Sequence, residues 1–114
     1  MKILNATKDT VIAEKATSAD SLFSRMAGLL NRRVLAFDEA LIITHCRSIH
    51  MFFMRFPIDV IFVSKDHIVV GLVSAIKPFC LSPIFFKADY AIEISVGVIT
   101  RSKTAVGDRI SLSP

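Results

Sequence analysis

The densest group of chemically reactive side chains is the segment His45-Cys-Arg-Ser-Ile-His-Met51. A thiol beside two imidazoles could form a nucleophile and its base, or bind a metal ion. In an extended chain Cys46 and His50 share a face but are about 13 Å apart, whereas a direct thiol–imidazole pair needs an approach of about 3 Å. Structural zinc takes four ligands in tight pairs, a spacing that the sequence lacks. We therefore predict no metal and no cofactor, and we disfavour a cysteine nucleophile.

Ligand binding suits the same segment better than catalysis does. Ser48 and His50 share one face of an extended chain, with α-carbons about 6.6 Å apart, so both side chains can contact one small molecule. Arg47 and Arg55 flank this pair and would attract a carboxylate or a phosphate. The segment thus predicts a site for a small anionic or polar ligand, or for a loop of a partner protein.

Two carboxylates occur on strands that are otherwise apolar. Alternation over Phe56–Ser64 puts Asp59 on a face with Ile61 and Val63. A charged group on such an apolar face needs a hydrogen-bonding partner or contact with solvent. Asp59 either accepts backbone hydrogen bonds, or pairs with an arginine to hold the sheet, or forms a pocket floor. Glu93 repeats this pattern, on a face that is either exposed to solvent or part of the site.

Composition places the chain among globular proteins. Its 114 residues predict a single domain, 1–114, and the 53% hydrophobic and 21% charged content excludes a disordered segment. The net charge of +4 permits an anionic partner. The basic residues are spread along the chain without a run of interleaved aromatics, so we predict no nucleic acid partner.

Membrane and targeting signals are not found in the sequence. The longest stretch without Asp, Glu, Lys or Arg is His67–Ile76, whereas a spanning helix needs about 20 apolar residues. The first residues do not show the basic start and the following apolar run that are typical of a secretory signal. We predict a cytoplasmic protein without a membrane span, with Cys46 and Cys80 as buried thiols rather than a disulfide.

Period-two alternation predicts a mainly β (α+β) fold. The predicted strands are Thr10–Ala16, Leu41–Thr44, Phe56–Ser64, His67–Ile76, Asp89–Val98 and Ile110–Leu112, and the one placed helix is Asp20–Leu30. Short connections favour a curled antiparallel or mixed sheet that approaches a small barrel, with one or two short helices. Apolar residues on both faces of the Phe56–Ser64 strand predict that it is central.

Met51, Phe52, Phe53, Met54 and Phe56 form an apolar cluster interrupted by Arg55. Packing in the core is the ordinary interpretation of such a cluster. A patch that faces a ligand or a partner, or an oligomer contact, is the alternative.

Four ordered motifs are similar to those of the bacterial and archaeal family called domain of unknown function 192. The motifs are Ser24-Arg-Met-Ala-Gly-Leu-Leu30, Phe56-Pro-Ile-Asp-Val-Ile-Phe-Val63, Ala91-Ile-Glu-Ile-Ser-Val-Gly97 and Val106-Gly-Asp-Arg-Ile110. The family-type residues are Arg25, Gly28, Pro57, Asp59, Glu93, Gly97, Gly107 and Asp108. The resemblance implies a compact, mostly β domain, a bacterial source among others, and no established activity.

Two functions follow from these residues. The leading hypothesis is a non-catalytic accessory domain that binds a small ligand or a partner through a polar, basic pocket. The predicted site residues are Ser48, His50, Arg55, Asp59, Glu93 and Arg25. The alternative is a small hydrolase or isomerase that uses Asp59 or Glu93 as general base together with His50.

Overall fold

The computed structural model describes residues 1–19, 35–51 and 54–114, which form eight strands and one short helix. In chain order they are β1 (Lys2–Asn5), β2 (Thr10–Ala13), β3 (Lys15–Ala19), β4 (Glu39–Thr44), β5 (Ile58–Val63), β6 (Val69–Ile76), β7 (Tyr90–Ile94), α1 (Val98–Ser102) and β8 (Ile110–Ser113). The predicted mainly β class is confirmed. The predicted helix Asp20–Leu30 lies outside the described residues. In the described part of the chain, no helix has the length and apolar character to cross a bilayer.

The strands are divided between two sheets. A small antiparallel sheet has the order β2-β1-β8, and a larger sheet has the order β3-β4-β7-β5-β6. In the larger sheet β3 and β4 run parallel, while the other neighbours are antiparallel. Over the described ranges the two sheets do not close into a barrel. β5 lies between β7 and β6, which confirms its predicted interior position, and it forms a hairpin with β6.

Two predicted strands differ substantially from the observed ones, and two short elements were not predicted. The predicted strand Thr10–Ala16 is split, because the amides of Glu14 and Lys15 both donate to the carbonyl of Asp38, at 3.0 and 2.9 Å, where the chain passes from the small sheet to the large one. The predicted strand Asp89–Val98 ends at Ile94, because Gly97, with φ of 97°, precedes α1. β1, of four residues, and α1, of five, were not predicted from the sequence.

The large sheet is covered by apolar clusters on both faces. The first cluster fills the space between the two sheets and includes Ile3, Ile61 and Ile92. The second cluster lies on the opposite face and includes Met51, Met54, Phe56, Val60 and Phe62. Core packing is therefore confirmed for Met51, Met54 and Phe56, while Phe52 and Phe53 lie outside the described residues.

A buried polar network joins β1 to the turn before β8. The Asn5 side-chain amide donates to Thr104 Oγ1 at 3.1 Å and to Asp108 Oδ2 at 2.9 Å. Lys8 Nζ and the Ala105 amide also donate to Asp108 Oδ2, at 2.8 and 2.9 Å. Burial acts to raise the pKa of Asp108, but these hydrogen bonds outweigh it and hold that pKa below its ordinary value.

The lowered pKa makes the contribution of Asp108 to stability depend on pH. Ionised Asp108 stabilises the fold fully above the unfolded-state pKa near about 4, and this contribution is lost as pH falls through the lower, folded-state pKa. We expect Asp108→Asn to be less stable than the wild type at neutral pH, with a difference that shrinks in acid. Urea unfolding at a series of pH values, followed by circular dichroism, measures this. A difference that stays constant into strong acid contradicts the assignment.

Candidate functional site

The segment 45–51 lies antiparallel to residues 79–89 and is tied to them by backbone hydrogen bonds. The Met51 amide donates to the Cys80 carbonyl at 2.9 Å, and the Phe79 amide donates to the Met51 carbonyl at 2.7 Å. At the other end, the Phe85 amide donates to the Arg47 carbonyl at 2.8 Å. Residues 45–51, which carry the densest group of reactive side chains, therefore belong to a hydrogen-bonded layer beside the large sheet.

The predicted ligand residues of this region differ in exposure. Ser48 and Arg55 are exposed, and His50 is half-buried where its backbone forms a bridge with Leu81. Arg25 lies outside the described residues. Ligand binding by these four residues stays a prediction.

Asp59 is buried, with 2% of its surface exposed, and accepts three backbone hydrogen bonds. Its Oδ1 accepts from the Ala75 amide of β6 at 2.8 Å, and its Oδ2 accepts from the amides of Gly97 and Ile99 at 3.0 and 3.2 Å. Of the roles considered from the sequence, the backbone acceptor is the one observed. One carboxylate therefore links β5, β6 and the first turn of α1, while a role in ligand binding stays a prediction.

Glu93 is fully buried, which shows that the solvent-exposed interpretation of its face is wrong. It lies directly opposite Leu41 of β4 and Val60 of β5, which belong to the second apolar cluster. Asp59 lies opposite Ile94, which belongs to the first cluster. Because paired residues share a face, the two carboxylates are on opposite sides of the sheet and do not act on one substrate as an acid–base pair.

The two cysteines, both within the described residues, do not form a disulfide. Cys46 is half-buried and its thiol donates to the Ser48 carbonyl at 3.1 Å. Cys80 is exposed, so the prediction of two buried thiols is wrong for Cys80. Within residues 1–19, 35–51 and 54–114 there is no group of three His, Cys, Asp or Glu side chains arranged to hold a metal ion.

A cleft of about 490 Å³ opens between the β5–β6 turn and residues 86–89, next to Arg47. Its polar wall carries three cations, Arg47, Lys65 and Lys87, and two carboxylates, Asp66 and Asp89. Its apolar wall is formed by the side chains of Ile68, Val70, Phe86 and Ala88. We call this the Arg47 cleft. A volume of this size holds a small molecule, and its lining suits one with an anionic group and an apolar body.

A buried phenol, that of Tyr90, follows the cleft residue Asp89 in the chain and belongs to the first apolar cluster. Burial raises the pKa of Tyr90 well above its ordinary value, and the neighbouring carboxylate of Asp89 adds to the effect. The Tyr90 hydroxyl is 2.8 Å from Nδ1 of His67. Tyr90 is therefore a neutral hydrogen-bonding group at any physiological pH.

Sequence reasoning found part of the Arg47 cleft. It identified Arg47 as favourable for an anion but interpreted Lys65-Asp66 only as a turn and gave Lys87 no role. None of the predicted site residues within the described ranges lines the cleft. No sequence signal pointed to Lys65 and Lys87, because each lies within two residues of an acidic residue, Asp66 or Asp89, and neither belongs to a basic run.

Comparison with known proteins establishes the relationship of the chain. A model of the domain of unknown function 192, described as an uncharacterized ACR, matches residues 3–112. The chain belongs to this family. It is 35% identical over 111 residues to a UPF0127 protein of Pyrococcus furiosus, covering 95% of each chain. A UPF0127 protein of Thermococcus sibiricus is 36% identical over 112 residues, covering 95% of this chain and 72% of the relative.

The relatives of this member of the domain of unknown function 192 are named without an activity. Both are archaeal, so a bacterial source stays a prediction. A solved protein of unknown function from Novosphingobium aromaticivorans superposes with a TM-score of 0.80 at 20% identity, covering 97% of this chain and 82% of that one. This likeness shows that the two chains share a fold.

Proposed function

We propose that this member of the family is a non-catalytic binding domain that holds a small anionic ligand in the Arg47 cleft. The observation that carries the proposal is the convergence of Arg47, Lys65 and Lys87 on one cleft with an apolar wall. These cations come from three separate segments of the chain. Their convergence therefore depends on the fold and not on a local run of basic residues.

The charges of the cleft favour a ligand with a carboxylate or phosphate group. Arginine can hold either group with two parallel hydrogen bonds, and a lysine adds a point charge. Three cations face two carboxylates, so the lining has a small positive excess that an anion would neutralise. The apolar wall would contact the rest of the ligand, which favours an organic anion over inorganic phosphate.

Titration of the isotopically labelled protein with phenyl phosphate and with inorganic phosphate tests the proposal. We expect shifts of the amide signals at residues 47, 65–66 and 86–89, with phenyl phosphate binding more tightly than inorganic phosphate. Arg47→Met is expected to weaken phenyl phosphate binding about tenfold, because it removes a charge-assisted hydrogen bond.

Lys103→Met is the matched control, because Lys103 is an exposed cation at the end of α1 that does not line the cleft. It should leave the affinity for phenyl phosphate unchanged. Amide shifts confined to other regions would refute the proposal, as would equal losses of affinity in Arg47→Met and Lys103→Met.

A further inference from the structure

Residues 79–86, which we call the 79–86 loop, expose four large apolar side chains. The exposed fractions are 73% for Phe79, 68% for Leu81, 57% for Ile84 and 75% for Phe86. Single apolar side chains on a protein surface are ordinary, but a contiguous apolar patch marks a site of interaction. The loop therefore requires an explanation that the Arg47 cleft, which contacts only Phe86 of these four, does not supply.

The backbone of the 79–86 loop is fixed to the neighbouring segment at several points. The Ser82 amide donates to the Ile49 carbonyl at 2.9 Å, and the Ile49 amide donates to Ser82 Oγ at 2.8 Å. Phe79 has φ of 67°, in the left-handed region that is unfavourable for a residue with a Cβ. The structure thus holds the apolar side chains outward from a positioned backbone.

The surroundings of the loop carry more cations than acidic residues. No Asp or Glu occurs between Glu39 and Asp59 or between Asp66 and Asp89. These two stretches contain four exposed cations: Arg47, Arg55, Lys77 and Lys87. Since the segments are hydrogen-bonded to each other, the apolar loop lies in a region where cations outnumber carboxylates, with Asp66 and Asp89 on the side of the Arg47 cleft.

We propose that the 79–86 loop docks on an anionic lipid surface, with Phe79, Leu81 and Ile84 entering the bilayer interface. Apolar side chains gain from leaving water for the interface, and nearby Lys and Arg are attracted to anionic headgroups. A protein partner would need about 800 Å² of complementary surface on each side. Side chains that project from a single loop suit a fluid layer, which needs no matching shape. The loop shares Phe86 with the Arg47 cleft, but Phe79, Leu81 and Ile84 do not line it, and the proposal does not depend on the ligand of that cleft.

Sedimentation of the full chain with vesicles tests this proposal. We expect binding to vesicles that contain phosphatidylglycerol, much weaker binding to pure phosphatidylcholine, and a decrease as salt is raised. Phe79→Ser and Ile84→Ser should each weaken the partition to phosphatidylglycerol vesicles about tenfold. Lys77→Gln should weaken it about fivefold.

Val106→Ser is the matched control, because Val106 is 63% exposed but lies in the turn between α1 and β8. Its partition should equal that of the wild type, and thermal unfolding should show that every variant is folded. Equal binding of all variants, or no binding to phosphatidylglycerol vesicles, would overturn the proposal. It would also be overturned if the chain ignored vesicles and formed a dimer that Phe79→Ser dissociates, since the loop would then contact a second copy.

Discussion

Replacing Asp59 by alanine is expected to lower the free energy of unfolding by about 3 kcal/mol, because three backbone amides, one of them buried, would lose the buried carboxylate that accepts their hydrogen bonds. Each unsatisfied donor costs about 1–3 kcal/mol, and a domain of this size has a total stability of about 5–15 kcal/mol. The three amides belong to Ala75, Gly97 and Ile99, so the loss would separate β6 and α1 from β5. Urea unfolding followed by circular dichroism measures it.

Two variants define how the loss arises. Asp59→Asn keeps one acceptor oxygen and should cost about half as much as the alanine variant, since a single oxygen can serve only part of the donor set. Asp66→Ala removes an exposed turn carboxylate and should change stability by less than about 0.5 kcal/mol. If Asp59→Ala lowered the free energy of unfolding no more than Asp66→Ala does, the hydrogen bonds of Asp59 would not stabilise the fold.

Gly71→Ala is expected to destabilise the protein by about 3 kcal/mol, although alanine usually suits a strand better than glycine does. A Cβ at position 71 would overlap the Cδ1, Cε1 and Cζ atoms of Phe85. That ring also stacks on Phe62, with centroids 4.5 Å apart, and Phe62 is the direct partner of Gly71 across the β5–β6 pair. The added methyl group would therefore push Phe85 away from Phe62.

The double variant Gly71→Ala/Phe85→Ala separates this cause from a general intolerance of alanine. Once the ring is absent, the added methyl group has room, so Gly71→Ala in the Phe85→Ala background should cost less than about 1 kcal/mol. Thermal or urea unfolding of the four proteins completes the cycle. An equal penalty in both backgrounds would show that the strand, rather than the ring, rejects the methyl group.

Four strands of the large sheet, β4 to β7, could be predicted because each is a run of β-branched and apolar residues five to eight residues long. Both apolar faces of β5 indicated an interior strand, and the structure confirms this. The division of Thr10–Ala16 between two sheets could not be predicted, because it depends on the Asp38 carbonyl, which lies far along the chain. The burial of Glu93 could not be predicted either, because it depends on the second apolar cluster that covers its face of the sheet.

The candidate site shows the same limit of local patterns. A carboxylate on an apolar strand face identified Asp59, but its acceptor role depends on amides 16, 38 and 40 positions away. The Arg47 cleft combines residues from three segments, of which only Arg47 lies in the reactive segment of the sequence. Sequence spacing describes one element at a time, whereas a cleft is a property of the elements it separates.

The order of strands in the small sheet has a consequence for synthesis of the protein on the ribosome. β1 pairs with β8, from Lys2 opposite Ser113 to Asn5 opposite Ile110, so β1 cannot complete its pairing until β8 has been translated. Until β8 emerges from the exit tunnel, one edge of β1 has no partner and the nascent chain presents it for mispairing. This topology therefore leaves the nascent chain with an exposed strand edge that can aggregate until synthesis has reached β8.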